Sequence, residues 1–284
     1  MKILVTGGAG YIGAHVVHEL ISAGHNPVIY DNLYSGQRVN IPPGVPFIEG
    51  DISDAGLLDK ALAGTDAVMH LAALKAAGES MTHPEKYAEK NIAGTIVLLN
   101  AMCRAGQTPA EPLNFYGFTK LKMEEICRWY SALGKIRFAA LRYFNVTGYD
   151  IHGRVKGLEI NPNNLFPIIM EVLAGTRTHL DIFGTDYDTP DGTCIRDYIH
   201  VSDLAAGHLQ ALDYILRTDE DIILNLGTSS GLSVKEAAQK AQEISGIKMD
   251  VRLKPRRPGD GAKLTLRLYS RQRKIGLAAK IFRR

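Results

Sequence analysis

Tyr116 and Lys120 stand four residues apart in Tyr116-Gly117-Phe118-Thr119-Lys120. On a helix that spacing puts both side chains on one face, one turn apart. A nearby ammonium favours the phenolate and lowers a tyrosine pKa from its usual value of about 10. Tyr116 is therefore a candidate general base near neutral pH, activated by Lys120. A solvated Tyr/Lys pair on any helix has the same spacing, so the pair gains meaning only from what accompanies it. The first residues accompany it. Gly7, Gly10 and Gly13 form a GxxGxxG turn between an apolar run, Met1 to Thr6, and an apolar helix from about Ala14 to Ala23. Glycines there remove the Cβ atoms that would hold a diphosphate off the backbone, and helix N–H groups then face the anion. A second apolar run, Pro27 to Tyr30, ends at Asp31, placed to accept a hydrogen bond from an adenosine ribose. The Asp31 charge would repel a 2′-phosphate, so NAD is the expected cofactor rather than NADP. Arg196 and Arg257 are candidates to clamp a second diphosphate, which guanidinium does bidentately, surface salt bridging being the ordinary alternative.

A scaffold must hold these residues, and strand–helix alternation supplies one. A third strand, Val45 to Gly50, ends at Asp51-Ile52. Asp51 fits either a cap for the helix after Ser53 or an adenine contact, with Ile52 against the ring, and position alone leaves both open. A helix (Ala55 to Leu62) and a fourth strand (Ala67 to Leu71) follow. That strand runs into Leu71-Ala72-Ala73-Leu74-Lys75, whose small residues let a dinucleotide pass; His70 reads as a core histidine, not a catalyst. Asn91 opens the helix Ile92 to Arg104, apolar enough to be deeply buried or covered by a partner subunit. Such repeats predict an α/β fold, a Rossmann-type doubly wound parallel sheet with ligands at the strands' carboxyl ends. The rhythm breaks after Gln107, where Thr108 to Asn114 leads straight into the helix at 116–133. A missing central strand would leave open edges and a hole in the core, so a further strand is expected to belong there.

After the strand Ile136 to Tyr143 the parallel rhythm stops. Expected next are a helix at 166–174 capped from Asn161–Leu165, a strand at 180–184, a turn and strand within 191–201, a strand at 223–227, and helices at 204–216 and 234–245 capped by Asp203 and Ser233. The division is 1–148, a dinucleotide-binding domain, and 149–284, mainly a smaller α/β substrate region closing over the sheet.

With 45% apolar residues the chain can build a full core, and 33 basic against 30 acidic residues, a net +3, demand no nucleic acid. The basic tail, Arg267 to Arg284, reads as a solvated end. Cys103, Cys127 and Cys194 are scattered, which suggests reduced thiols in a cytoplasmic protein, no disulfide framework and no metal. No apolar run approaches a membrane span, and the amino terminus is already a strand, not a signal peptide.

Together these segments resemble UDP-glucose 4-epimerases, a family of NAD-dependent extended short-chain dehydrogenases/reductases. The resemblance spans essentially the whole chain: VTGGAGYIG (5–13), DNLYSG (31–36), EGDI (49–52), HLAALKAAGES (70–80), NFYGFTK (114–120), RYFNVTG (142–148), PNNL (162–165), DGTCIRDYIHVSDLA (191–205) and RRPGD (256–260). It implies interconversion of UDP-glucose and UDP-galactose through a 4-keto sugar, with Tyr116 as proton acceptor and Lys120 beside it. NAD contacts implied are Tyr11, Ile12, Asp31, Asn32, Leu33, Tyr34, Ser35, Gly36, Asp51, Ile52, Leu71, Ala72, Ala73, Leu74, Lys75, Asn91, Lys120 and Phe144. UDP-hexose contacts implied are Asn145, Asn164, Leu165, Asp181, Ile182, Phe183, Arg196, Arg257 and Asp260. It also settles Asp51 in favour of adenine and implies a homodimer through the helices near 92–104 and 116–133. The departures are the absence after Gln107 of the family's strand, Ser/Thr-rich loop and VYG turn, which carry the catalytic Ser or Thr, Gly261 where the family has proline, and a carboxyl end that looks short. The alternatives are another nucleotide-sugar epimerase, a 4,6-dehydratase, or an inactive NAD/UDP-sugar-binding protein if the gap is a true deletion.

Overall fold

β1 (Lys2–Thr6) lies between two parallel neighbours, β2 (Asn26–Asp31) and β4 (Ala67–His70), and β3 (Phe47–Glu49) adds outside β2. The computed structural model describes residues 1–103, 115–134, 136–150, 152–157, 162, 164–257 and 260–265. β1 shows why this sheet is covered on both sides. Ile3 and Val5 pack with Val16, Val17 and Leu20 of α1 (Tyr11–Ser22), while Leu4 faces the other way, towards Leu58 of α2 (Ala55–Leu62). A strand buried on both faces reads as an unbroken apolar run, as Ile3-Leu4-Val5 does.

After β4 come α3 (Ala77–Thr82) and one long helix in three parts: α4 (Pro84–Tyr87), a π turn at Ala88–Ala93, and α5 (Gly94–Cys103), whose Leu98 joins Leu4 and Leu58. Asn91 therefore lies inside a helix, in its π turn, rather than opening one. Such turns insert an extra residue and recur at functional sites. α6 (Phe115–Ala132) leads to β5 (Ala139–Tyr143), which pairs with β9 (Ile222–Leu226) as a separate two-stranded sheet.

The 284 residues run on without a break through Gln107. Among the described residues no strand lies between β4 and β5, and β4 has β1 as its one strand neighbour. Among the described residues the further strand expected after Gln107 is not seen, and residues 104–114 lie outside the described ones.

The chain divides into two units. One takes Met1–Leu141, Asp150–Ile160 and Ala205–Leu224; the other takes Arg142–Tyr149, Asn161–Leu204 and Asn225–Arg284. The second unit is built round β8 (Ile195–His200), which pairs with β6 (Asn145–Thr147), β10 (Gly231–Ser233) and β12 (Lys263–Leu264). A second pair, β7 (Leu180–Phe183) with β11 (Val251–Lys254), shares a core with α7 (Leu165–Leu173) and α9 (Val234–Ser245) through Ile169, Ile182, Ala237 and Met249. Ser233 caps α9 in a reciprocal box with Glu236. α8 (Val201–Thr218) starts directly after β8, so Asp203 falls in its first turn instead of ahead of it.

Candidate functional site

The glycine turn has the close packing its sequence calls for. Gly7 has φ +73°, and a Cβ there would meet the backbone N of Ala72 at 2.7 Å; one on Gly13 would meet the Gly7 carbonyl at 2.0 Å. Gly10 caps α1 without a side-chain hydrogen bond, and no acidic residue stands in the helix's first turn. The first-turn N–H groups lack helical acceptors and lie at the positive end of the helix, which suits a diphosphate. Asp31 is buried and accepts from Ala9 N–H at 3.0 Å and from Leu33 N–H at 2.8 Å. Burial pushes its carboxyl up, against the pull of N–H donors from Leu33, Ala9 and Gly10. A carboxylate has about four acceptor sites, so capacity remains for ribose hydroxyls. A Cβ on Gly36 would sit 2.9 Å from both Asp31 oxygens, so only glycine leaves that carboxylate uncovered.

The adenosine side is a small polar cluster. Asp51 accepts from Asn32 Nδ2 at 3.0 Å, from Ser53 N–H at 3.0 Å and from Lys90 Nζ at 3.3 Å. Partial burial pushes the Asp51 carboxyl up, but the hydrogen bonds from Ser53, Asn32 and Lys90 outweigh it and hold the pKa at about 2. The cap of α2 is Asp54, which accepts from Leu57 N–H at 2.9 Å, so the capping alternative for Asp51 falls away. Ile52 is buried, and a Cβ on Gly94 would meet its Cγ2 at 2.5 Å. Exposed Tyr34 receives Lys86 Nζ at 3.3 Å on its hydroxyl, and the ammonium is tied to Glu79 at 2.6 Å.

A hydrogen-bonded chain fixes the loop after β4. Asn91 clamps Leu74 from both sides: its Oδ1 accepts from Leu74 N–H at 2.8 Å and its Nδ2 donates to the Leu74 carbonyl at 3.0 Å. Thr95 donates its one hydroxyl proton to the Asn91 carbonyl at 2.6 Å. At His70 Nε2, 3.0 Å away, Thr95 can therefore only accept. His70 is thus the Nε2–H tautomer, and its Nδ1 accepts from the Thr6 hydroxyl at 2.7 Å. Burial, with Lys120's charge nearby, lowers the His70 pKa to about 3. His70 is a satisfied, neutral histidine, as read from the sequence.

Lys120 lies on α6, and burial lowers its pKa to about 8. Its effect on His70 puts it near the carboxyl end of β4. Tyr116 is one turn earlier on the same helix; its side chain lies outside the described residues.

In the second unit Arg196 is buried, donating to the Gly261 carbonyl at 2.8 Å, to the Ile195 carbonyl at 3.0 Å and to Asp260 Oδ1 at 3.3 Å. Two residues expected to hold UDP are thus joined. The Arg257 guanidinium stacks 3.9 Å from the Phe183 ring centroid. Asp181 Oδ1 lies 3.6 Å from His179 Nε2 and 3.9 Å from Lys254 Nζ. The Ile182 side chain belongs to the core, and its backbone lies in the β7–β11 ladder opposite Leu253. Asn164 precedes α7 without spending its side chain on the cap, and Asn145 pairs with Tyr198 at the start of β6. Phe144 joins β5 to β6, and Leu165 opens α7.

The family pattern headed NAD dependent epimerase/dehydratase matches residues 3–108 and 104–227. The chain belongs to that family. A UDP-glucose 4-epimerase of Azospirillum brasilense is 42% identical to this epimerase/dehydratase chain over 288 residues, 93% of the chain and 83% of the relative. A structure described as UDP-glucose 4-epimerase from Brucella ovis in complex with NAD superposes with a TM-score of 0.89 at 36% identity, covering 97% of this chain and 92% of that one. A third, from Bifidobacterium longum in complex with NAD+ and UDP, gives 0.87 at 33% identity with the same coverage. The two parts of the family match meet at 104–108, and the Azospirillum alignment is longer than the 284-residue chain although it uses 93% of it. That alignment therefore crosses residues this family member lacks.

Lys90, Thr6 and Thr95 were not singled out from the sequence. Thr95, four residues after Asn91, carried a helical-spacing signal; Thr6 carried only its place at the end of β1.

Among the described residues there is no group of three or more His, Cys, Asp or Glu side chains that could hold a metal ion, and no helix is long and apolar enough to cross a membrane.

Proposed function

We propose that this chain interconverts UDP-glucose and UDP-galactose with NAD as its resident cofactor. The carrying observation is a buried Lys120 with a pKa near 8, one helical turn from Tyr116, in a chain whose opening turn is shaped for a dinucleotide. Tyr116 takes the proton of the sugar's 4-hydroxyl, and Lys120 stabilises its phenolate. Bound NAD would supply a reversible hydride acceptor for carbon 4, so that the sugar could pass through a 4-keto form without net redox. The first-turn N–H groups of α1, Asp31 to Gly36, Asp51, Ile52, Leu71 to Lys75, Asn91 and Phe144 hold the cofactor. Asn145, Asn164, Leu165, Asp181 to Phe183, Arg196, Arg257 and Asp260 hold UDP, leaving the hexose loosely gripped and free to turn. The enzyme works in the cytoplasm as a homodimer through the helices near 92–104 and 116–133.

The missing strand bears on this reading, because in the resembled family that piece carries the Ser or Thr that shares the sugar hydroxyl with tyrosine. Incubation with UDP-galactose, followed by separation of the sugar products, tests it. UDP-glucose formation is expected, and Tyr116→Phe should abolish it while NAD stays bound. A 4-keto-6-deoxy product would point to a dehydratase. Binding of NAD and UDP without any product would identify an inactive relative.

A further inference from the structure

Asn40 ends a 3₁₀ turn (Arg38–Asn40) after β2, is buried, and belongs to none of the contacts assigned above. Its Nδ2 donates to the Ala9 carbonyl at 3.1 Å, and its Oδ1 accepts from Gly157 N–H at 2.7 Å. The Ala9 carbonyl also accepts from Gln37 N–H at 3.0 Å, and Ala9 N–H donates to Asp31. Every polar backbone group of Ala9 is therefore fixed. The peptide unit is planar and trans, so holding the Ala9 carbonyl also sets the direction of Gly10 N–H, which closes the turn on the Gly7 carbonyl at 3.1 Å just before α1. Gly157 has no room for a side chain: a Cβ would stand 2.5 Å from Asn40 Oδ1.

The segment carrying Gly157 is itself anchored. Arg154 Nη2 bonds Asp150 Oδ1 at 2.8 Å and Glu19 Oε1 at 3.0 Å, and its Nη1 reaches Ser22 Oγ at 3.2 Å. The bond to Arg154 holds the Asp150 carboxyl well below the usual range. Both ends of α1 are thus braced: Arg154 grips its last turns, and Gly157, through Asn40, grips the glycine turn before its first.

We propose that Asn40 is a positioning residue for NAD, holding the Ala9–Gly10 peptide so that the glycine turn keeps the shape that presents the start of α1 to the cofactor's diphosphate. It rests on NAD being the ligand of the glycine turn. Asn40 touches no reacting atom in this scheme, so it acts on cofactor affinity and not on the chemical step. Asn40→Asp keeps the acceptor for Gly157 N–H and sets a carboxylate oxygen against the Ala9 carbonyl. In the full chain stripped of NAD, this variant should bind NAD about tenfold more weakly or worse. Its kcat at saturating NAD should stay within about twofold of wild type. Asn40→Ser, too short to reach both partners, carries the same expectation should Asn40→Asp not fold. A folded variant that binds NAD as tightly as wild type overturns the proposal, and so does a loss of kcat at saturating NAD with affinity unchanged. A wild-type chain that fails to bind NAD overturns instead the cofactor assignment beneath it.

Discussion

Lys120 shows how one residue can cost stability where it serves chemistry. Its pKa is near 8 in the fold, below the usual 10.5, because burial disfavours the ammonium. Between those values the unfolded chain still holds a proton that the folded chain has released, so stability rises with pH across that window. Below pH 8 the burial penalty is present in full. Lys120→Met should therefore melt higher than wild type at pH 7, with the difference shrinking from pH 8 to 10.5, while turnover falls by about 10²-fold or more. Melting curves against pH beside a turnover assay check this; a variant that melts lower at pH 7 would contradict it. His70 has the opposite consequence at acid pH. With its pKa at about 3 against the usual 6.5, the unfolded chain binds a proton the fold refuses, and stability is lost as pH falls from 6.5 towards 3. His70→Gln should flatten that part of the profile. The sequence marked His70 as structural, but its tautomer depends on a Thr95–Asn91 bond that only the folded chain reveals.

At the level of elements, the loop after β4 is held by side chains from β1, β4 and the long helix with its π turn. Thr95→Val keeps the shape but leaves His70 Nε2–H without its acceptor, a loss of about 1–3 kcal/mol for a buried donor. Chemical denaturation should register that loss together with weaker NAD retention; an unchanged midpoint would show that the bond carries no weight. The strands and helices of the first hundred residues were legible because each follows from local pattern, apolar runs and a glycine turn, and farther along Ser233 marked a helix start; the cap at Asp54 was not read. What could not be read joins residues far apart in sequence. Thr6 and His70 are separated by 64 positions, and Asn40 and Gly157 by 117. No periodicity encodes such meetings. The π turn was illegible for another reason, since one inserted residue leaves composition untouched and only shifts which face Asn91 occupies.

For the whole molecule, sequence rhythm found the gap after Gln107, and the split into a β3-β2-β1-β4 sheet and a separate β5-β9 pair is its structural form. The segments of the two units alternate along the sequence, because unit membership follows three-dimensional contacts rather than order. Intact mass spectrometry should return a mass near 31.1 kDa for this sequence. Insertion after Gln107 of the strand and Ser/Thr loop that the family resemblance implies should then raise UDP-galactose conversion by about tenfold or more, within the usual range for a positioned proton-transfer group. Equal rates with and without the insert would mean that the present chain already holds a complete catalytic set. Light scattering at micromolar concentration should find the dimer; monomer alone would count against it.

The unshared flank of β4 has a further consequence. Among the described residues Ala67–His70 has a strand partner on one side only, and a row of backbone groups open on the other is what an extended peptide adds to. A synthetic peptide with the sequence of the relatives' missing strand would be expected to dock there in trans. Conversion of UDP-galactose would then rise with peptide concentration and fall again on dialysis, making the defect an externally operated switch.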